Sequence, residues 1–389
     1  MQDKNAYKQN FMSENITNQK PAPVTYSGVV VYLFAYDIAY ELKRDIKELQ
    51  GQPVAQFIVD SSKRSPRHLF FYKPQVVTLQ PWVRKGPKGE VRVERSVKLL
   101  PVGAISITIK VPFESTRLED LVDYHDLHFG GDSLNDEVRK MAEEIRNELV
   151  PHCIRPMPSL ADEEAYTVFC INAPLMDEKA NHIRGEQWFK TYRKEIAALL
   201  TQEENPSRLA KQEIEESTVR SLSYYEHDLV VVDWDSSLIV DQKENFNETV
   251  YAMELANLQL AELEAYDRIL DDSLDRCYRD LSLHAMKGRR SVLKELREIR
   301  IDLARCSDEL QNITKFFGGD WHIARVYESI ATRFHLSDWH RTIDSKLATL
   351  DNMYQMLSSD RNNQLMLSLE VTIVLLFIID LVILFVGLK

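Results

Sequence analysis

The spacing of apolar positions changes along the chain, and each change marks a new element. Residues 28–37, GVVVYLFAYD, are β-branched and aromatic and predict a buried strand. Residues 38–49 have apolar positions at helical spacing and predict an amphipathic helix closed by Gly51 and Pro53. Strand-like runs recur at 68–79, 91–100, 104–111, 166–171 and 229–234. Helical periodicity recurs at 118–128, 135–150, 186–200 and 208–222. Gly86, Pro87, Lys88 and Gly89 are a turn signal, so 82–98 reads as a hairpin. This mixture predicts an α+β domain over 27–242, with strand and helix order of the ferredoxin-like kind.

Beyond Lys243 the period becomes helical throughout. Leu260, Leu263, Leu270, Leu274, Cys277 and Leu281 fall on a and d heptad positions, with Asp267 the exception. Leu293, Leu296, Leu303, Cys306, Leu310 and Ile313 repeat the pattern, and Gly288 lies between the two runs. They predict an antiparallel helical hairpin within a coiled-coil stalk over 243–364. From Trp339 no Gly or Pro interrupts the chain until Gly387, and Leu336, Ile343, Leu350 and Leu357 recur every seven residues. Roughly fifty helical residues make a rod of about 75 Å.

The rod ends in residues 371–388, which are apolar around one acid, Asp380. About 18 apolar residues are enough to cross a bilayer as a helix, so 365–389 is expected to be a C-terminal transmembrane anchor. An acid at mid-membrane costs roughly 2.5–3.5 kcal/mol, while the surrounding Leu, Ile, Val and Phe each return roughly 0.3–0.6 kcal/mol. The segment still inserts. Asp380 is then expected to face another protein surface or water.

Composition narrows the classes. The net charge of −12 and pI near 5.4 argue against general nucleic-acid binding. The four cysteines have no paired spacing, which suits a reducing compartment and gives no zinc signature. Residues 1–26 have neither the apolar core of a signal peptide nor the Arg-rich pattern of a presequence, and read as a disordered leader. The body is expected to stay on the side of the membrane where it is made.

Three stretches carry a resemblance to a known family: LVVVDWDSSLIVD at 229–241, MELANLQLAELEAYDRILDDSLDRCY at 253–278, and ARVYESIATRFHLSDWHRTIDSKLATLDNMY at 324–354. They resemble the "required for meiotic nuclear division" family, which has bacterial, fungal and mitochondrial branches, and residues 28–40 share the likeness more loosely. Leu369-Glu370 followed ten residues later by Asp380 is similar to the family's membrane pattern, although Val371 stands where the family often has Trp and Asp380 where Glu is usual. The resemblance implies a membrane-tethered, oligomeric, non-catalytic protein. Its mitochondrial branch supports translation by the organelle's ribosomes. Without a presequence, this chain fits a bacterial-type member in the inner membrane, with its N-terminal body cytoplasmic.

Four groups of residues are candidate sites. Glu370 and Asp380 sit about 80° apart around a helix and can border one seam between membrane helices. Arg84, Lys85, Lys88, Arg92, Arg95 and Lys98, with Trp82, form a basic strip suited to phosphate or anionic lipid. Glu90 and Glu94 interleave with it, and alternation with Val91, Val93 and Val97 also suits a hairpin with one solvated face. His125 and His128 share a helical face as metal-ligand candidates, but no third ligand has motif spacing. Asp233 and Asp235 flank Trp234 and read as the exit from the α+β domain. The FGGD at 129–132 and 317–320 reads as a helix stop followed by a helix start.

No nucleotide, hydrolase or metalloprotease motif is present, and no cofactor is expected. The leading expectation is a non-enzymatic, membrane-anchored oligomeric scaffold whose partners are the membrane, further copies of itself and a ribosomal or other protein. An alternative is a relative of CorA-like divalent-cation channels, which also join a cytosolic α/β domain to long helices. This chain lacks their second span and Gly-Met-Asn element. Another alternative is an enzyme seated in the α+β domain.

Overall fold

The computed structural model describes residues 25–56, 74–86, 89–129, 131–176, 181–283, 301 and 321–387. The expected leader before residue 25, the second set of heptad residues (Leu293, Leu296, Leu303, Cys306, Leu310 and Ile313), the FGGD at 317–320 and Lys88 lie outside the described residues.

One nine-stranded sheet organises the body. Its strands are β1 (Tyr26–Asp37), β2 (Ala55–Gln56), β3 (Gln75–Gly86), β4 (Gly89–Leu99), β5 (Ala104–Ser115), β6 (Glu164–Asn172), β7 (Ser221–Leu222), β8 (Leu229–Val232) and β9 (Ser236–Asp241). Their spatial order is β7-β8-β9-β6-β1-β5-β4-β3-β2, and every neighbouring pair is antiparallel except β6 with β9. Both neighbours of the central strand β1 run antiparallel to it, with Val31 opposite Lys110 on β5 and Val168 on β6. The strand period of two splits β1 between two cores. Val30, Tyr32, Phe34 and Tyr36 enter one, and Val31, Leu33 and Ala35 enter the other.

Each face is covered by helices. On the first face lie α1 (Leu134–Leu149), α2 (Gly185–Thr191) and α3 (Arg193–Leu200), with Val138, Ile145, Trp188, Ile196 and Leu199 in the shared core. The short α4 (Lys211–Ser217) follows. Ser133 caps α1 by accepting a hydrogen bond from the Asp136 amide. On the second face lie α5 (Phe246–Leu283), α6 (Trp321–Arg333) and α7 (Leu336–Gly387). Helices on both faces differ from the ferredoxin-like expectation. The change of period at Lys243 marks a change of element and not the end of the core, because the first turns of α5 form the sheet's second layer. Residues 249–259 of α5 are all buried, the pattern of a helix enclosed on all sides.

Local periodicity misled in several places. Residues 38–49 form no helix. The amides of Ile38 and Ala39 both donate to Gly103 O, and Leu42 N donates to Pro101 O. Ala39–Leu42 then pairs with Cys153–Pro156. These long-range partners satisfy the backbone that a helix would have closed on itself. Residues 118–128 hold only a 3-10 helix, Glu119–Tyr124. His128–Phe129 then pairs with Asp132–Ser133, so the described ends of the first FGGD are short paired strands ahead of α1 and not a helix stop. The helix expected at 186–200 breaks at Tyr192, between α2 and α3. The one expected at 208–222 shortens to α4 and is followed by β7. Asp233, Trp234 and Asp235 do not lead out of the sheet. They form the β8–β9 turn, and β9 returns beside β6.

The Asp267 exception in the heptad has a partner. Lys346 of α7 reaches Asp267 at 2.7 Å and Asp271 at 2.6 Å, while Leu270 and Cys277 of α5 and Ile343, Leu347 and Leu350 of α7 are buried around it. At α6's end, Arg333 is buried against Asp233 and Glu216, and its guanidinium stacks on Trp234.

Candidate functional site

The helix α7 serves two environments. Its first turns bury Leu336, Ile343, Leu347, Leu350 and Met353 in the second core. Its later part, Leu365–Ile383, is long and apolar enough to cross a membrane, and none of it is buried. Among the described residues it is the one helix with this property. A large apolar surface left facing outward marks a membrane or partner contact. Its 52 residues hold no Pro, and Gly only as the last, so the whole helix is about 78 Å long. Glu370 and Asp380 are both exposed on this segment.

The basic strip is divided between the two faces of the sheet. A bulge makes the division. Leu79 pairs with Arg95 and Trp82 with Val93, so Gln80 and Pro81 include one residue more than the opposite strand spans. The extra residue reverses the alternation of β3. Val77 and Leu79 point into the first core before it, and Trp82 packs against that same core after it. Arg84 follows Trp82 onto this face and reaches Glu137 of α1 at 3.4 Å. Arg95 joins them from β4. The two guanidinium carbons lie 4.9 Å (Arg84) and 4.0 Å (Arg95) from the Trp82 ring centroid. Arg95 donates from Nε to Gln80 O at 3.0 Å and from Nη1 to Met141 Sδ at 3.3 Å, and Nη2 also reaches Gln80 O. Burial lowers the Arg95 pKa to about 10, and the neighbouring Arg84 charge adds to that shift.

Alternation puts Lys85, Arg92 and Lys98 on the opposite face. Lys85 and Arg92 are exposed. Lys98 is 8% exposed and is held by the Glu254 carboxylate of α5, which also accepts from the Ser106 hydroxyl. Burial and the Lys98 charge lower the pKa of nearby Lys110. Lys98 therefore belongs to the sheet–α5 interface and not to an anion-facing surface.

Between the β3–β4 hairpin and α1 lies an open cleft of about 370 Å³, walled by Trp82, Arg84 and Arg95 on one side and Glu137, Lys140 and Met141 on the other. The sequence reading picked out three of these residues but missed the cleft. Pro81, which falls within the observed strand Gln75–Gly86, was the available signal, because Pro in a strand marks an edge or a bulge.

The histidines do not converge. His125 is largely buried, with Nε2 2.7 Å from Leu199 O and its ring against Phe169, and burial lowers its pKa. His128 is exposed, with Nδ1 3.0 Å from Asp126 O. Among the described residues no group of three or more His, Cys, Asp or Glu is arranged to hold a metal.

Comparison with known proteins adds two findings. The family model described as "Uncharacterized protein MJ0711, N-terminal domain" matches residues 27–247, the sheet and its first-face helices, and stops where α5 begins. A protein of Methanocaldococcus jannaschii, "Uncharacterized protein MJ0711", is 24% identical over 223 residues, which are 56% of this chain and 65% of that protein. The match therefore spans less than two thirds of the relative. No solved structure matches the chain.

Proposed function

The chain belongs to the family described by the N-terminal domain of uncharacterized protein MJ0711, and from that premise we propose that it is a non-enzymatic scaffold held at a membrane by α7. The observation that carries this reading is the continuity of α7. One helix leaves the second core at Met353 and runs on without Gly or Pro into the outward-facing apolar segment Leu365–Ile383. A rigid rod of this kind fixes the body's height and orientation relative to a bilayer.

In this reading the body lies on the cytoplasmic side and α7 crosses the membrane once. Asp380, near the middle of the apolar run 371–388, favours a second copy. An unshielded acid in lipid costs roughly 2.5–3.5 kcal/mol, and packing beside another helix removes most of that exposure. The heptad positions Leu336, Ile343 and Leu350, which pack α7 within the second core, are the coiled-coil part of the stalk in this reading. Support for translation at the membrane is the role suggested by resemblance to the required-for-meiotic-nuclear-division family, and a ribosomal component is the partner it implies.

The oligomer is tested by weighing the full chain in detergent micelles by light scattering. The wild type is expected as a multimer, and Asp380→Leu is expected to change that mass. An identical mass for both proteins would remove the acid-lined seam from the account.

A further inference from the structure

We propose that the cleft between the Trp82 hairpin and α1 binds a small organic carboxylate or phosphate ester, with its oxyanion on the Arg95 guanidinium. The cleft's volume of about 370 Å³ lies within the range for small-molecule sites, roughly 300–1,000 Å³. Its other cations already have acids. Arg84 pairs with Glu137 at 3.4 Å and Lys140 with Asp132 at 2.7 Å. Among the described residues no carboxylate lies within ion-pair distance of Arg95, and the Glu137 charge acts on it only from farther away, through Arg84's side of the cleft. Its Nε and Nη2 are taken by the bulge carbonyl, and Nη1 meets only a thioether sulfur. Thioether sulfur is a weak acceptor, so a half-buried guanidinium has been left with donor capacity facing a cavity. Guanidinium geometry matches carboxylate and phosphate oxygens. The Trp82 ring and the bulge hold the group in place before a ligand arrives, which lowers the ordering cost of binding.

The surrounding charges select the ligand. Arg84 and Lys140 are paired with Glu137 and Asp132, and Glu144 lines the same cleft without an ion pair to Arg95. Nucleic acid needs a row of unpaired cations. The cleft offers one, which suits a single oxyanion on a small body. The shared chemistry also fits a lipid phosphate, which the test separates from a soluble ligand.

Full-length protein in phosphatidylcholine nanodiscs is titrated by calorimetry with succinate, glycerol 3-phosphate and inorganic phosphate. At least one is expected to bind, and Arg95→Met is expected to weaken its Kd by about tenfold or more, the scale of a lost charge-assisted contact. Met141→Glu places a carboxylate where the thioether meets Nη1, and is expected to block binding by occupying the guanidinium. This second variant decides the matter if Arg95→Met does not fold. The paired replacement of Lys85 and Arg92 by Ala, on the opposite face, should leave binding intact. In discs containing phosphatidylglycerol, weakened binding of the soluble probes in the wild type assigns the oxyanion to a lipid headgroup. Absence of binding by every probe in both kinds of disc overturns the proposal. So does binding unaffected by Met141→Glu, or binding abolished by the Lys85 and Arg92 replacements.

Discussion

Replacing Lys98 with methionine separates two roles for this residue. In the fold it joins β4 to α5 through Glu254, whose side chain is 1% exposed. Lys98→Met leaves that carboxylate buried with the Ser106 hydroxyl as a hydrogen-bond donor and the Lys110 charge acting from farther away. Removing one partner of a buried ion pair costs about 3–5 kcal/mol. At about 2 °C per kcal/mol for a body of this size, the thermal midpoint should fall by about 6–10 °C. The double variant Lys98→Met, Glu254→Leu removes both charges and should recover at least half of the loss, because a buried pair replaced by apolar groups is close to neutral. The assay is thermal unfolding of the full chain in nanodiscs, followed by tryptophan fluorescence. A solvated lysine on an anion-binding strip would give a change within about 0.5 kcal/mol. A midpoint drop below about 2 °C, or a double variant worse than either single one, would refute the assignment of Lys98 to the interface with α5.

Two further outcomes follow from buried groups and backbone. Burial, together with a hydrogen bond shared with Glu264, raises the Glu164 carboxyl to about 8, and burial raises Asp37 to about 7. Unfolded carboxyls titrate near about 4, so between that value and 7–8 the folded state holds the extra protons. Their contribution to stability is full below about pH 4 and is lost as pH rises through 7 and 8. Glu164→Gln should raise the midpoint at about pH 9 and leave it nearly unchanged at about pH 5, and an equal shift at both pH values would contradict this. Gly103 has φ of +90°, and a Cβ there would lie 1.7 Å from Ala39 O. Gly103→Ala should cost more than about 2 kcal/mol in denaturant unfolding, whereas Gly51→Ala, at φ of +67° with nothing within 4 Å, should cost about 1 kcal/mol.

Legibility in the sequence followed the reach of the interactions. The strand at residues 28–37 and the helix at 135–150 were readable because one element's own alternation reports its buried face. The rod from Trp339 was readable because it lacks breakers. Residues 38–49 were misread because their amides are satisfied by Gly103 and Pro101, more than fifty residues away in the chain. Glu254 carries no local mark of its partner, since Lys98 precedes it by 156 residues. The strand Ser236–Asp241 was missed because two flanking acids looked like an exit, while its parallel pairing with β6 is non-local. For the cleft, residue types were readable but their distribution was not. One bulge residue decides that Arg84 shares a face with Arg95, and that Lys85 does not. Asp267 looked like a flaw in a heptad until Lys346 supplied its charge partner.

Alkaline carbonate extraction of membranes containing the full chain tests the central claim most directly, alongside a chain ending before Leu365. The account predicts that the full chain stays in the membrane pellet and that the shortened chain is released. Full-length protein in the carbonate supernatant, or equal retention of both chains, would contradict the assignment of α7 as the membrane anchor.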